Sequence, residues 1–176
     1  TLQVCDFNLA PPYTVLVTDQ NDCSALSAPF DVGLAVSPSF GILVSPDPCE
    51  GSPSILTISP VQTDVDYSWS TGETGTSITV TQAGTYTAFG TDSNTGCTGT
   101  ASTVIYPLPD LWLVPVGCYE VCNPDTICGP TGLAAYQWYQ DGVLISGANS
   151  ECIIVTESGS YSLLATNEYG CEAASD

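Results

Sequence analysis

The chain has 176 residues and a net charge of −19, because 19 Asp and Glu are opposed by no Lys, Arg or His. Without cations it cannot neutralise nucleic-acid phosphates, and anionic lipid surfaces would repel it. No apolar run is long enough for a membrane-spanning helix. Three interpretations fit the missing cations: an acidic extracellular polymer, selection against proteases that cut after Lys or Arg, or misassigned residues in the sequence itself.

Nine cysteines favour an oxidising compartment, outside the cell or at its surface, where disulfides form and persist. Zinc is the alternative, but zinc sites usually use His or Cys-x-x-Cys pairs, and neither occurs in this chain. Disulfides are therefore predicted. An odd number of cysteines leaves at least one thiol unpaired within the chain or paired outside it.

One strand-like phrase that ends in cysteine occurs three times, at 11–23, 84–97 and 159–171. Its closing cysteines are spaced by 74 residues, at Cys23, Cys97 and Cys171. Constant spacing of this kind indicates an internal repeat. We therefore predict three units, at 1–36, 37–110 and 111–176.

The first unit, 1–36, is expected to be partial. Alignment on the tyrosine of the phrase assigns residues 1–10 to strand E, 11–19 to strand F and 24–36 to strand G, with strands A to D missing. The third unit is expected to lack a complete last strand. Two explanations stay open: the chain is the ordered piece of a longer repeat protein, or neighbouring subunits supply the missing strands by β-augmentation.

The second unit shows the repeat most completely. Side chains alternate at 55–60, Ile78 and Val80 alternate with threonines, and Tyr67 and Trp69 are two residues apart. These patterns predict short strands separated by turns. The third unit follows the same plan, with Trp138 in the place of Trp69 and a predicted hairpin turn at 141–142. Short strands without helical periodicity predict an all-β fold of tandem β-sandwiches.

The order of Cys, Tyr-x-Trp, Gly-x-Tyr and Gly-Cys in these units, with Trp-x-x-Gly in the second, resembles the immunoglobulin-like, PKD-type repeats of large surface proteins that Bacteroidota export by type IX secretion. The resemblance covers nearly the whole chain. It implies tandem immunoglobulin-like sandwiches in stalks, adhesins, filaments or matrix components. It also implies that the units themselves do not catalyse a reaction.

The cysteines differ from those of antibody domains, where the second cysteine follows the strand-F tyrosine by two residues. Here Cys97 follows Tyr86 by 11 residues and lies in the F–G turn. A bridge from this turn should join one edge of a sandwich. The expected pairs are Cys49–Cys97, Cys122–Cys171, Cys128–Cys152 and Cys5–Cys23. Cys118 has no evident partner and is a candidate interface residue.

Catalysis is not expected, because the usual basic side chains are missing. Two close carboxylate pairs, Asp64 with Asp66 and Asp47 with Glu50, are interpreted as turn residues. No cofactor is predicted, although structural calcium at the F–G turns is a weaker alternative. The candidate turn ligands are Asp19, Asn21, Asp22, Asp92, Asn94, Asn167 and Glu168.

Two further residues carry functional hypotheses. Thr126 stands in Asp-Thr-Ile, which resembles the O-glycosylation motif of Bacteroidota, although an ordinary threonine at a strand start is the alternative. Trp112 is flanked by leucines at the junction of two units. We expect it to be a wedge between domains, with an exposed glycan or partner contact as the alternative.

The resulting hypothesis is a structural segment of an extracellular filament, stalk or matrix protein, which self-associates through β-edges or continues in a longer chain. The alternative is an adhesin segment that binds glycan or another surface partner. Neither hypothesis involves nucleic acid or membrane insertion.

Overall fold

The computed structural model describes residues 3–5, 14–29, 33–116 and 125–175, and the regular elements within them are β-strands. In chain order the strands are β1 (Gln3–Cys5), β2 (Leu16–Thr18), β3 (Ser24–Leu26), β4 (Gly33–Ala35), β5 (Gly41–Ser45), β6 (Ser54–Ser59), β7 (Val65–Trp69), β8 (Ser77–Val80), β9 (Gly84–Asp92), β10 (Thr98–Ile105), β11 (Val114–Val116), β12 (Asp125–Cys128), β13 (Ala135–Gln140), β14 (Val143–Leu144), β15 (Cys152–Val155), β16 (Tyr161–Thr166) and β17 (Glu172–Ala174). None of the described segments forms a helix that is long and apolar enough to cross a membrane.

Two compact units divide the chain. The first consists of Thr1–Leu43, Ile55–Ile78 and Tyr86–Thr103, and the second of Val44–Ser54, Thr79–Thr85 and Val104–Asp176. Strands β5, β6, β8, β9 and β10 each contribute residues to both units. The boundaries at 36 and 110 that the repeat suggests therefore stay a prediction about the sequence.

Strand order identifies the fold as immunoglobulin-like. The second repeat forms two sheets, β5-β6-β8 and β10-β9-β7. The third repeat forms β11-β12-β15 and β14-β13-β16-β17. The six strands of the second repeat correspond to A, B, C, E, F and G, and β14 of the third repeat is an additional strand C′ beside C. With these letters both repeats place strands A, B and E in one sheet and strands C, F and G in the other, which is the immunoglobulin arrangement without its strand D. The prediction of all-β, immunoglobulin-like sandwiches is confirmed.

The side chains alternate as half-buried strands require. On β6, Leu56 and Ile58 are buried while Ile55 is exposed. Tyr67 and Trp69 on β7 are buried on one face. The predicted two-residue period therefore holds in the second repeat.

The core of the third repeat lies between its two sheets. Trp138 on β13 and Leu163 on β16 are fully buried, and Ile127 from β12 and Ile153 from β15 pack against them. The Trp138 indole N–H donates to the Ser150 carbonyl oxygen at 2.8 Å. Trp138 is therefore a core residue with its polar atom satisfied, as a buried indole usually is.

The predicted hairpin turn of the third repeat is present. Strands β13 and β14 pair in antiparallel order across Asp141 and Gly142. Both turn residues have positive φ, 50° and 76°. Two-residue hairpins that match the twist of their strands require this conformation.

The first segment differs in part from its prediction. Strands β2 and β3 pair as an antiparallel hairpin, as expected for F and the start of G. The predicted strand 24–36 is not continuous, however, because β3 ends at Leu26 and β4 begins at Gly33. Pro29 lies between them and has no N–H to donate to a ladder. Strand β4 pairs in parallel with β1 instead.

Candidate functional site

The repeated phrase builds a turn that holds its cysteine. In the third repeat, Asn167 Oδ1 accepts hydrogen bonds from the backbone N–H groups of Tyr169 and Cys171, both at 3.0 Å. The Asn167 N–H donates to the Cys171 carbonyl oxygen at 2.9 Å. One side chain thus closes the turn between β16 and β17 and orients the cysteine that follows, as Asn does in turns of this kind.

The other two copies of the phrase use aspartate for the same purpose. Asp19 Oδ1 accepts from the Cys23 N–H at 3.0 Å, and Asp92 Oδ1 accepts from the Thr95 N–H at 2.8 Å. The Asp92 N–H donates to the Cys97 carbonyl oxygen at 2.9 Å. Hydrogen bonds from the Thr95 backbone and hydroxyl, with a smaller contribution from the Asn94 N–H, lower the pKa of the Asp92 carboxyl.

In these contacts one oxygen each of Asp19, Asp92 and Asn167 accepts from backbone N–H groups. Within the described ranges, no three acidic or cysteine side chains are grouped closely enough to hold a metal. Calcium at the F–G turns stays a prediction.

The cysteine pairing differs from the prediction in three of its four bonds. Cys49 is bonded to Cys171 with an S–S distance of 2.00 Å, and Cys5 is bonded to Cys97 with an S–S distance of 1.96 Å. Cys23 is an exposed thiol without a disulfide partner among the described residues. The predicted pairs Cys49–Cys97, Cys122–Cys171 and Cys5–Cys23 are therefore wrong.

The position of β10 explains why Cys49 does not reach Cys97. Cys97 directly precedes β10, whereas Cys49 forms a parallel bridge with Tyr106, which directly follows it. A strand rises about 3.4 Å per residue, and β10 has 8 residues, so its ends are separated by about 27 Å. A disulfide needs Cα atoms within about 7 Å.

The fourth predicted bond, Cys128–Cys152, is present. The two cysteines are direct partners on the antiparallel strands β12 and β15, and their Cα atoms are 4.1 Å apart. The prediction succeeded because both cysteines lie on neighbouring strands of one repeat. Cys118 and Cys122 lie outside the described residues.

Cys49 and Cys171 belong to different predicted repeats, so their bond joins the second repeat to the third. Both are buried. Next to this bond, the rings of Tyr106 and Tyr169 stack at a centroid distance of 4.3 Å and an angle of 9°. The Asn167 Nδ2 group donates to the Pro107 carbonyl oxygen at 2.8 Å. We call these six residues the inter-repeat junction.

A carboxylate supports one side of the junction. Glu50 Oε1 accepts from the Leu108 N–H at 3.0 Å, and its Oε2 accepts from the Ala83 N–H at 3.2 Å. The Glu50 N–H donates to the Tyr106 carbonyl oxygen at 2.9 Å. This side chain therefore anchors the backbone where the second repeat ends.

The second carboxylate pair also serves the backbone. Asp64 has a positive φ of 59° in the turn before β7, and its carbonyl oxygen accepts from the Ser93 N–H at 2.7 Å. Asp66 Oδ2 accepts from the Ser93 hydroxyl at 3.0 Å. Asp64 is a turn residue as interpreted, whereas the interpretation is wrong for Asp66, which lies on β7.

The junction has its own electrostatics. A hydrogen bond to Glu168 and the negative charge of that residue raise the pKa of the Tyr169 hydroxyl. Sequence reasoning missed the Tyr106–Tyr169 stack and the Asn167–Pro107 bond. The repeat offered only a general signal, namely that the phrase ends in the same cysteine each time.

Thr126 and Trp112 occupy different surroundings. Thr126 is half-buried on β12, opposite Ile154 on β15, and its modification stays a prediction. Trp112 is 52% exposed, whereas Leu111 and Leu113 pack against the Trp138 core. Side chains alternate along an extended segment, so the two leucines take the inward positions and Trp112 the outward one. The role of Trp112 as a wedge between domains stays a prediction.

The sequence matches no protein-family model and no curated protein sequence. Among solved structures, it is similar to the three N-terminal domains of Hoc, the Highly Immunogenic Outer Capsid protein of bacteriophage RB49, with 15% identity over 77% of this chain and a TM-score of 0.36. This chain spans 58% of that chain. It is also similar to the N-terminal four Ig domains of Dscam1 isoform 6.9, with 10% identity, 94% and 79% coverage of the two chains and a TM-score of 0.27. At these TM-scores the similarities add nothing to the argument from strand order.

Proposed function

We propose that this chain is a structural segment of an extracellular filament, stalk or matrix protein in which disulfides join successive immunoglobulin-like repeats. The observation that carries the proposal is the Cys49–Cys171 bond. A bond within one repeat would stabilise that repeat alone. A bond between repeats restricts how one repeat turns against the next, which is the property that a load-bearing segment needs.

The other contacts of the inter-repeat junction support the same role. The Tyr106–Tyr169 stack and the Asn167–Pro107 hydrogen bond connect residues of the same two predicted repeats. Aromatic stacking and a hydrogen bond each contribute about 1 kcal/mol. They orient the repeats around the covalent bond, so reduction alone would not release the junction completely.

The disulfides also support an extracellular or surface location. Three bonds connect described cysteines, and bonds of this kind persist in oxidising compartments. The repeat phrase supports membership of the Bacteroidota surface modules named above, exported by type IX secretion. Assembly would then proceed by self-association through β-edges, or by continuation of the 74-residue period in a longer chain.

The test combines mass spectrometry with electron microscopy of the native material. We expect either an intact mass well above the 18.3 kDa of this sequence, with peptides that continue the period, or a mass of 18.3 kDa together with regular filaments. Globular, monomeric particles of 18.3 kDa at every concentration would contradict both forms of the proposal.

A second candidate function is adhesion. The half-exposed ring of Trp112 is the observation that favours it, since exposed aromatic rings are typical of sugar and protein contacts. Glycan-array binding that is lost in Trp112→Ala and retained in Ile154→Ala would support adhesion. Ile154 is the matched control because it is 72% exposed but not aromatic. Equal binding by both variants, or no binding by the parent chain, would contradict it.

A further inference from the structure

The β2–β3 hairpin exposes apolar side chains that its counterparts bury. Val15 is 51% exposed and Val17 is 63% exposed. Both side chains belong to the repeated phrase, whose other two copies form β9 and β16. The turn residue that closes each copy, Asp19 in the first, provides the point of alignment.

Val15 precedes its turn residue by four positions. The residues four positions before Asp92 and Asn167 are Ala88 and Leu163. Both are fully buried, with 0% exposure. The position that carries Val15 is therefore a core position in each of the two complete repeats.

Val17 precedes its turn residue by two positions. Its counterparts are Gly90 and Ala165, and both are buried. The intervening Leu16 corresponds instead to Phe89, which is 42% exposed. The hairpin thus has one face that the repeat plan buries, carried by Val15 and Val17. Its opposite face is less buried in the complete repeats, with Phe89 exposed and Leu164 half-buried.

The complete repeats also show which strand lies beside strand F, with its side chains on the same face. In the second repeat, Trp69 is the register partner of Ala88 and Tyr67 that of Gly90. In the third repeat, Trp138 is the partner of Leu163 and Tyr136 that of Ala165. Both times a Tyr-x-Trp strand lies antiparallel to strand F, with Trp opposite the Val15 position and Tyr opposite the Val17 position.

The backbone of β2 is oriented for the same partner. The Ser27 N–H donates to the Val15 carbonyl oxygen at 2.8 Å, so Val15 and Val17 bond toward β3. By alternation, the N–H and C=O groups of Leu16 and Thr18 point to the other edge of β2. Thr166, the counterpart of Thr18, accepts a hydrogen bond from the Ala134 N–H at 2.8 Å, beside its Tyr-x-Trp strand.

We propose that the β2–β3 hairpin is the acceptor for an extended Tyr-x-Trp strand supplied by another polypeptide, which pairs antiparallel to β2 with Trp opposite Val15 and Tyr opposite Val17. The inference rests on the proposed assembly through β-edges and names the edge and the partner. An uncharged strand fits best, because the acceptor chain has no cation to balance an acidic one. Strand β13, with the sequence AYQWYQ, is uncharged throughout.

The test adds a synthetic peptide with the uncharged sequence of residues 133–140 to the full chain. We expect saturable binding and slowed amide exchange at Leu16 and Thr18. Binding should fall at least tenfold in the Val15→Asp/Val17→Asp variant, because two carboxylates would be buried without partners. Leu16→Asp, on the opposite face, is the matched control and should bind as the parent does. A peptide with its tryptophan replaced by alanine should bind at least tenfold more weakly.

Three outcomes would overturn the proposal. The first is no saturable binding up to the solubility limit of the peptide. The second is undiminished binding by Val15→Asp/Val17→Asp, which would place the peptide elsewhere, for example in exchange with β13. The third is dimerisation of the chain in the absence of peptide, if Val15→Asp/Val17→Asp abolishes it. That result would show that the face binds the β2–β3 hairpin of a second copy.

The test separates this inference from the proposed function. Peptide binding together with globular 18.3 kDa particles would retain the acceptor and contradict the filament. Filaments without peptide binding would retain the proposed function and remove this acceptor.

Discussion

Single residues decide whether neighbouring backbone segments can approach each other in the first compact unit. Gly99 on β10 lies so close to Pro38 that a Cβ atom at Gly99 would overlap the Pro38 carbonyl oxygen. The overlap is with backbone, which cannot rotate away as a side chain can. The requirement at this glycine is therefore for space.

We expect Gly99→Ala to destabilise the protein by about 1–3 kcal/mol, because the added methyl group forces the backbone to shift. Gly41→Ala is the matched control, since its Cβ would lie 3.6 Å from the nearest atom, the Ser59 carbonyl oxygen. Equilibrium unfolding in urea measures both. Equal stability of the two variants would show that residues 38 and 99 are not in close contact in solution.

The Asp92 turn predicts a pH dependence. Hydrogen bonds from Thr95 lower the pKa of Asp92 in the folded chain, so the unfolded chain binds a proton more readily. The contribution of Asp92 to stability is therefore present above about pH 4 and is lost as the pH falls through the lowered pKa of the folded state.

The measurement is the urea midpoint of the parent and of Asp92→Asn as the pH is lowered. Asparagine retains the acceptor oxygen, as Asn167 does in the third repeat, but does not titrate. The parent should lose more stability than the variant below pH 4. Parallel curves for the two proteins would contradict the assignment.

At the scale of strands and turns, the F–G turn occurs three times with similar hydrogen bonds, but the disulfide bonding of its cysteine differs each time. Cys171 bonds to Cys49 of the preceding repeat, Cys97 bonds to Cys5, and Cys23 has no partner among the described residues. The turn orients the sulfur, and the neighbouring segment determines the bond.

Removing the inter-repeat bond with Cys49→Ser/Cys171→Ser should cost about 5 kcal/mol in the chain-entropy description, because the bond closes a loop with a sequence separation of 122. Removing Cys128–Cys152, with a separation of 24, should cost about 3.5 kcal/mol. Denaturant unfolding of the two double variants gives the comparison. A larger loss for Cys128→Ser/Cys152→Ser would contradict the long loop in solution.

The sequence predicts what depends on local pattern and fails where distant segments meet. Alternation predicted the strand that carries Leu56 and Ile58, and the Tyr-x-Trp motif placed Trp69 and Trp138 on equivalent strands of the two repeats. The Cys49–Cys171 bond was not predictable, because spacing alone does not determine disulfide connectivity. The bond depends on the position of the residues that follow β10 in the folded protein, and this position is set by tertiary structure.

At the scale of the whole molecule, charge of one sign dominates. The chain carries 19 carboxylate side chains and no basic side chain. Salt therefore screens the repulsion between carboxylates, and it weakens no side-chain ion pair. Screening is appreciable at about 0.1 M salt, where the Debye length is about 10 Å. Stability should therefore rise with salt, unlike that of a protein held by surface ion pairs.

We expect the melting temperature to increase steadily with sodium chloride. Calcium chloride at the same ionic strength is the control for a specific site. Equal effects of the two salts would agree with the absence of a metal-binding group from the described residues. If the melting temperature stops rising at a calcium concentration far below the sodium concentration that has the same effect, a specific calcium site is present. That result would support the calcium alternative at the F–G turns.

The two long disulfides have a mechanical consequence. Cys5–Cys97 and Cys49–Cys171 close loops that overlap along the chain, so a force applied at the two ends never passes through the full backbone. The shortest covalent path from Cys5 to Cys171 follows the backbone to Cys49 and then crosses the bond. Because extended length is proportional to residue number, the unfolded, oxidised chain can stretch to only roughly a quarter of its reduced length between these cysteines. The redox potential of the surroundings would thus determine the maximum length to which the unfolded segment can be extended under force.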